Sequence, residues 1–205
     1  MVWFILYNGV LLPVLTCIVF LAAIFFPKIR EGLKGRFQTY KRLKLFFEKK
    51  HTRHNVYWFH AASLGEFYQI KPIIEGMKKM KKENVIFISF SSPSGLNYAF
   101  SDAIDLKFYL PFDFPWTIQK VLSLVKPKKV IFATYDIWPN FVWFCKTKNI
   151  HLNVMSAKIG HHSIKYRPVI MNFYKSLYKL FDTIYTITEK DKNRFERMLG
   201  SKVNP

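Results

Sequence analysis

The sequence predicts an α/β fold: a parallel sheet with helices on both faces, preceded by an N-terminal membrane helix. Two observations predict it. From residue 55 onward, short runs rich in β-branched and aromatic residues alternate with amphipathic stretches, the pattern of βαβ units joined by right-handed crossovers. Before that, residues 1–26 carry no charged side chain. At 205 residues, half of them hydrophobic, the chain can hold one large domain, or one domain with a short appendage.

The first element is the apolar segment. Residues 9–26 are apolar except Thr16, with Pro13 inside, and this length just reaches across a bilayer. A cleaved signal peptide needs a basic start, whereas the first charge here is Lys28. Spanning or inserting into the membrane is the favoured reading; a helix lying in the interface or buried in a dimer is the alternative. Ten Lys/Arg and two Glu then fall between Lys28 and Arg53. This asymmetry places everything after residue 27 in the cytoplasm and holds the segment to an anionic leaflet surface, at about 1 kcal/mol per basic residue. The expected organisation is an anchor over 1–27, a basic membrane-proximal segment over 28–54 and an α/β domain over 55–205.

Within the domain, strands are expected at 56–60, 85–90, 106–109, 130–134, 151–155 and 183–188. Helices are expected at 65–80, 94–102, 115–125, 139–147, 165–180 and 189–199. The helix after Gly65 shows the signal well: Phe67, Ile70, Ile73, Ile74 and Met77 share one face. Pro72 lies within it and is expected to kink or restart it.

Charge is lopsided, with 32 Lys+Arg against 13 Asp+Glu and a net +19. Such a balance favours anionic partners, although frequent Lys, Asn, Ile and Phe fit a general compositional bias equally well. Nucleic acid is disfavoured as a partner: no recognised binding motif is present and the apolar segment precedes the basic one. Cys17 and Cys145 have no metal-ligand spacing around them and read as reduced, buried thiols. The adjacent His161 and His162 lack a third ligand at suitable spacing, so no metal is expected. Dinucleotide-binding and P-loop fingerprints are also missing.

Chemistry concentrates where strands run into helices, the edge at which such sheets hold ligands. Ser63-Leu64-Gly65-Glu66 has the S-x-x-E spacing of a capping box. One reading confines Glu66 to capping. The other makes Glu66 a general base, with Gly65 leaving its approach open. Ser91-Ser92-Pro93-Ser94-Gly95 is a helix start whose hydroxyls and amides can cap the helix or hold phosphate or sugar oxygens. Asp136, in Tyr135-Asp136-Ile137-Trp138-Pro139-Asn140, either binds a sugar or orients a cation, or caps the next helix while Trp138 packs in the core. Lys158, beside the histidines, suits an anionic sugar or a phosphate.

These pieces, taken in order, resemble the N-terminal half of the 3-deoxy-D-manno-octulosonic acid (Kdo) transferases of lipopolysaccharide synthesis. After the apolar segment come Arg30-Glu31-Gly32-Leu33-Lys34-Gly35-Arg36 and His60-Ala61-Ala62-Ser63-Leu64-Gly65-Glu66. Ser92-Pro93-Ser94-Gly95, Tyr109-Leu110-Pro111-Phe112-Asp113, Trp138-Pro139-Asn140 and the Ala157/Ser163/Tyr166 segment follow.

The resemblance implies a Rossmann-like acceptor domain of a GT-B glycosyltransferase. It implies Glu66 as catalytic base of an inverting transfer, with substrate contacts from Ser63, Gly65, Ser92, Ser94, Gly95, Asp136, Trp138, Asn140 and Lys158. No cofactor or metal is implied; the donor is CMP-Kdo. The acceptor is a lipid A precursor (lipid IVA), met at the cytoplasmic face of the bacterial inner membrane. Two departures stand out: Thr134-Tyr135-Asp136 keeps a single acidic residue where the family has two, and Ser156-Ala157-Lys158 carries Lys in place of Arg, a point charge instead of a planar fork. The family continues into a donor-binding domain, so a C-terminal donor-domain chain is an expected partner. The alternative is a noncatalytic lipid- or membrane-binding module.

Overall fold

A computed structural model describes residues 2–50, 55–158 and 167–200. Its centre is a six-stranded sheet, every pairing parallel, in the order β3-β2-β1-β4-β5-β6. The strands are β1 (Val56–Ala61), β2 (Val85–Phe90), β3 (Leu106–Tyr109), β4 (Lys129–Phe132), β5 (His151–Ala157) and β6 (Thr183–Thr186). The helices are α1 (Val2–Leu6), α2 (Leu12–Phe25), α3 (Pro27–Lys49), α4 (Leu64–Met80), α5 (Pro93–Tyr98), α6 (Pro115–Val125), α7 (Pro139–Thr147), α8 (Pro168–Tyr178) and α9 (Glu189–Leu199). The predicted Rossmann-like sheet is the observed one.

Alternation along the central strands explains the two-sided burial. Trp58, Phe87, Phe108, Val130, Phe132 and Val154 face one side, packed with Leu43 of α3, Ile118 and Leu122 of α6, and Phe141 of α7. Phe59, Ile86, Ile88, Phe90 and Ile131 face the other, under Phe67, Ile70 and Ile74 of α4. Each such large side chain contributes about 1.5–3 kcal/mol when fully buried. The winding direction reverses between β1 and β4, so the crevice at their carboxyl ends is the topological switch point.

Several expectations change in detail. Helix α4 runs through Pro72 without restarting; its buried stripe holds the helix together and Pro72 sits on the exposed side. Strand β4 leaves the ladder after Phe132, two residues early, as the chain turns toward Asp136. Strand β6 ends at Thr186, and Thr188 caps α9 by accepting from the Asp191 amide at 3.1 Å. Cys145 is buried as expected, whereas Cys17 is exposed on α2.

The basic segment is the largest surprise: residues 27–49 form one long helix built into the domain. Leu43 of α3 is fully buried, and Phe46 and Phe47 lie edge-on to Phe87. Thr39 Oγ1 donates to the Tyr109 carbonyl at 2.8 Å, and Arg36 Nη1 donates to the Leu110 carbonyl at 2.8 Å. These bonds close the carboxyl end of edge strand β3. Val2–Phe25 is helical throughout, with a π-helical turn over Tyr7–Leu11, and is long and apolar enough to cross a membrane. The π turn lies just before Pro13, which has no amide hydrogen to give the preceding turn.

Candidate active site

The switch point carries a connected polar cluster. The penultimate residue of β1 is His60, fully buried and in register with Ser89 of β2 and Phe132 of β4. Its Nδ1 lies 3.0 Å from Ser89 Oγ and 3.1 Å from the Ser89 carbonyl, while Nε2 lies 3.1 Å from Asp136 Oδ2. Against a carboxylate, Nε2 must carry the proton. Ser91, just past β2, donates to the same Asp136 oxygen at 2.7 Å. Below, Trp58 Nε1 donates to Ser89 Oγ at 2.8 Å. Burial would raise the Asp136 carboxyl, but the bonds from His60 and Ser91 overcome it and hold the group at about 2. Asp136 is therefore an ionised carboxylate with part of its surface open to solvent.

This geometry rules out the capping alternative for Asp136. The N-terminus of α7 is capped from a distant loop: Asp113 accepts from the Asn140 amide at 3.0 Å and the Phe141 amide at 2.9 Å. Asp113 is buried, and burial pushes its carboxyl up to about 7 against those bonds and the nearby Arg36 charge.

Glu66 sits on the first turn of α4, half-buried. Its Oε2 accepts from the Ala62 amide at 2.7 Å, and its own amide donates to Ser63 Oγ at 3.4 Å. The capping box thus forms with its return bond one residue earlier than the spacing suggests. Oε1 makes no hydrogen bond among the described residues. A Cβ added at exposed Gly65 would have only the Ser63 hydroxyl near it, at 3.9 Å, so the face beside the carboxylate is open.

The remaining candidates divide by environment. Ser92 caps α5, accepting from the Gly95 amide at 3.4 Å, and its hydroxyl lies 3.0 Å from that of the exposed Ser94. Gly95 takes a packing role: a Cβ there would run into the Phe90 ring. Asn140 also takes a structural role. Fully buried, it donates to Asn8 Oδ1 at 2.8 Å and to the Asp113 carbonyl, and accepts from Asn8 at 3.0 Å. Trp138 is half-buried with the Arg36 guanidinium 5.2 Å from its ring centroid. Lys158 is exposed just beyond β5. His161, His162, Ser163 and Tyr166 lie outside the described residues.

Sequence reasoning did not single out His60, Ser89 or Arg36 as site residues, and it offered Ser91 only as one hydroxyl of a helix start and not as a partner of Asp136. For His60 a signal existed, since imidazole is the one side-chain type in this otherwise apolar and aromatic strand that ordinarily exchanges a proton near neutral pH. Arg36 borders a cavity of about 240 Å³ between α2, α3 and the loop at 112–114, with Leu15, Phe20, Leu33, Asp113 and Trp138 among its walls. Burial lowers the pKa of Arg36, while Asp136 and Asp113 oppose the change. Glu66 does not line this cavity. Among the described residues, no three His, Cys, Asp or Glu side chains come together as a metal site.

Topology and polar rim define a Rossmann-like domain with its candidate site at the carboxyl edge of the sheet. The chain belongs to the 3-deoxy-D-manno-octulosonic-acid transferase (kdotransferase) family, which it matches over residues 31–204. It is 30% identical over 165 residues to the 3-deoxy-D-manno-octulosonic acid transferase of Aquifex aeolicus, covering 78% of this chain and 42% of that protein. The Haemophilus influenzae enzyme of the same description is 25% identical, over 78% of this chain and 38% of that protein. A bifunctional glycosyltransferase/methyltransferase of Fusobacterium nucleatum is 24% identical, over 80% and 26%. The chain therefore spans less than half the length of these relatives. Among solved structures, a putative UDP-N-acetylglucosamine 2-epimerase from Listeria monocytogenes superposes with a TM-score of 0.49 at 14% identity, over 73% of this chain and 43% of that one.

Proposed function

We propose that this chain is the acceptor-side domain of a glycosyltransferase that moves Kdo from CMP-Kdo to a lipid A precursor of the lipid IVA type. The observation that carries the reading is the family match across residues 31–204, which includes Glu66 at the rim of the sheet. In the proposed reaction, Glu66 takes the proton from an acceptor hydroxyl. The freed oxygen attacks the anomeric carbon of Kdo, the bond from that carbon to the phosphate oxygen breaks, and CMP departs with inversion. The Oε2 bond to the Ala62 amide orients the carboxylate, and Oε1 is the basic atom. Neither a metal nor a cofactor takes part.

Ser63 and Gly65 shape the approach to Glu66. Asp136, fixed by His60 and Ser91, supplies acceptor capacity for sugar hydroxyls. Ser92, Ser94, Trp138 and Lys158 are the further proposed contacts, with Lys158 toward an anionic group. The donor nucleotide is bound by a second domain, in further polypeptide or in a partner chain. The acceptor is an anionic glycolipid, so the N-terminal helix and the +19 charge would serve to hold the domain at the cytoplasmic face of the inner membrane.

The test is CMP-Kdo-dependent transfer to lipid IVA by this chain together with a family C-terminal domain, comparing wild type with Glu66→Gln. Product from wild type and its loss in the variant, at unchanged thermal stability, supports the reading. Failure of wild type to transfer would favour a noncatalytic module.

A further inference from the structure

The N-terminal apolar helix is fastened to the domain at both ends. Near its start, Tyr7 Oη donates to Asp113 Oδ2 at 2.9 Å, and Asn8 and Asn140 exchange two side-chain hydrogen bonds at 3.0 and 2.8 Å. Trp3 packs edge-on to Phe173 of α8, and Phe4 and Tyr7 contact Trp143 of α7. At the other end the helix breaks at Phe26. Arg30 then folds back, its Nε donating to the Ala23 carbonyl at 3.1 Å and its Nη2 to the Ile24 carbonyl at 2.8 Å. Helix α3 in turn is tied to β3 through Thr39 and Arg36.

A spanning helix must leave its first residues across an apolar layer about 30 Å thick. Tyr7 and Asn8 are instead bonded to the body that carries the candidate active site. Those two polar side chains, costly to expose to hydrocarbon, are satisfied by the domain. Between the two fastenings apolar side chains are exposed over most of the helix surface: a stripe of Val10, Val14, Ile18, Leu21 and Phe25 is 60%, 51%, 56%, 61% and 76% exposed, and beside it Leu11, Leu15, Phe20 and Ile24 are 44%, 43%, 44% and 63% exposed. The stripe's spacing of four, four, three and four places it on one helical face. Elsewhere on the domain surface Phe37 and Trp116 are 67% and 68% exposed. Basic α3 runs alongside, exposing Lys28, Lys34, Lys41, Arg42 and Lys44. An apolar stripe flanked by cations complements an anionic lipid surface.

We propose that the chain is monotopic: helix Val2–Phe25 lies within one leaflet of an anionic membrane, with the N-terminus and the domain on the same side. This inference does not depend on the transferase reading, and its tests need no enzymatic activity.

The test uses the full chain with Cys17→Ser, keeping buried Cys145. One reporter cysteine is placed in a short hydrophilic extension before Met1, and another at exposed Lys190 (Lys190→Cys) in a separate variant. Inverted membrane vesicles and intact spheroplasts are treated with a membrane-impermeant maleimide. Both reporters are expected to label at least tenfold more strongly from the same side; labelling from opposite sides overturns the proposal. In a second arm, purified protein is floated with phosphatidylglycerol or phosphatidylcholine vesicles. Binding is expected to be at least tenfold stronger to the anionic lipid and to fall at least tenfold with Ile18→Glu. Binding unaffected by Ile18→Glu, or a stable dimer occupying the stripe in place of lipid, overturns it.

Discussion

His60 Nε2 lies 3.1 Å from Asp136 Oδ2, joining the ends of β1 and β4 across the switch point. This contact, with the Ser91 hydroxyl on the same oxygen, keeps Asp136 ionised at about 2 despite its burial. A carboxyl whose folded-state value is depressed adds stability above its unfolded value, near 4, and loses it as pH falls through about 2. Asp136→Asn is expected to cost about 2 kcal/mol at pH 7 and to flatten the stability curve between pH 4 and 2. Urea denaturation at a series of pH values measures both; an unchanged acid limb would count against the contact.

The glycines separate packing from access. At Gly35 a Cβ would overlap the Tyr109 ring where α3 crosses β3, and at Gly65 it would meet almost nothing. Gly35→Ala is expected to destabilise the fold by about 1–3 kcal/mol through overpacking. Gly65→Ala is expected to leave stability unchanged or raise it by up to about 1 kcal/mol, as a glycine replaced within a helix, while slowing transfer. Thermal melts beside transfer rates distinguish the two.

Asp113 links the cap of α7 to the N-terminal helix. Asp113→Ala removes acceptors for two α7 amides and for Tyr7 and is expected to cost about 2–3 kcal/mol. Tyr7→Phe removes the tether alone, at about 1 kcal/mol. Amide exchange in detergent or lipid should then rise over residues 2–12 in both variants, but over the start of α7 only in Asp113→Ala.

How far the sequence could be read follows from which interactions are local. The β-rich runs and amphipathic stretches reported the sheet, because burial on two faces leaves continuous apolar strands. The capping box at Ser63 and Glu66 was legible for the same reason, with both partners within one turn. Helix α3 was hidden: Leu33, Tyr40, Leu43 and Phe47 recur at helical spacing, but the basic residues between them drew the reading toward a membrane-proximal tether. The His60–Asp136–Ser91 cluster joins residues 76 and 45 positions apart, so no spacing rule reaches it. Asn140 shows the converse, because a motif asparagine that suggested substrate contact is spent on Asn8 and Asp113.

The central proposal is that Glu66 removes the acceptor proton, and single-turnover transfer of Kdo by wild type and Glu66→Gln, each combined with a family C-terminal domain, tests it most directly. Glutamine can still accept the Ala62 amide hydrogen bond but has no basic oxygen. The account predicts a rate lower by at least about 100-fold, within the range for losing a general base, at an unchanged melting temperature. Transfer by Glu66→Gln within a few-fold of wild type would contradict it and return Glu66 to the role of a helix cap.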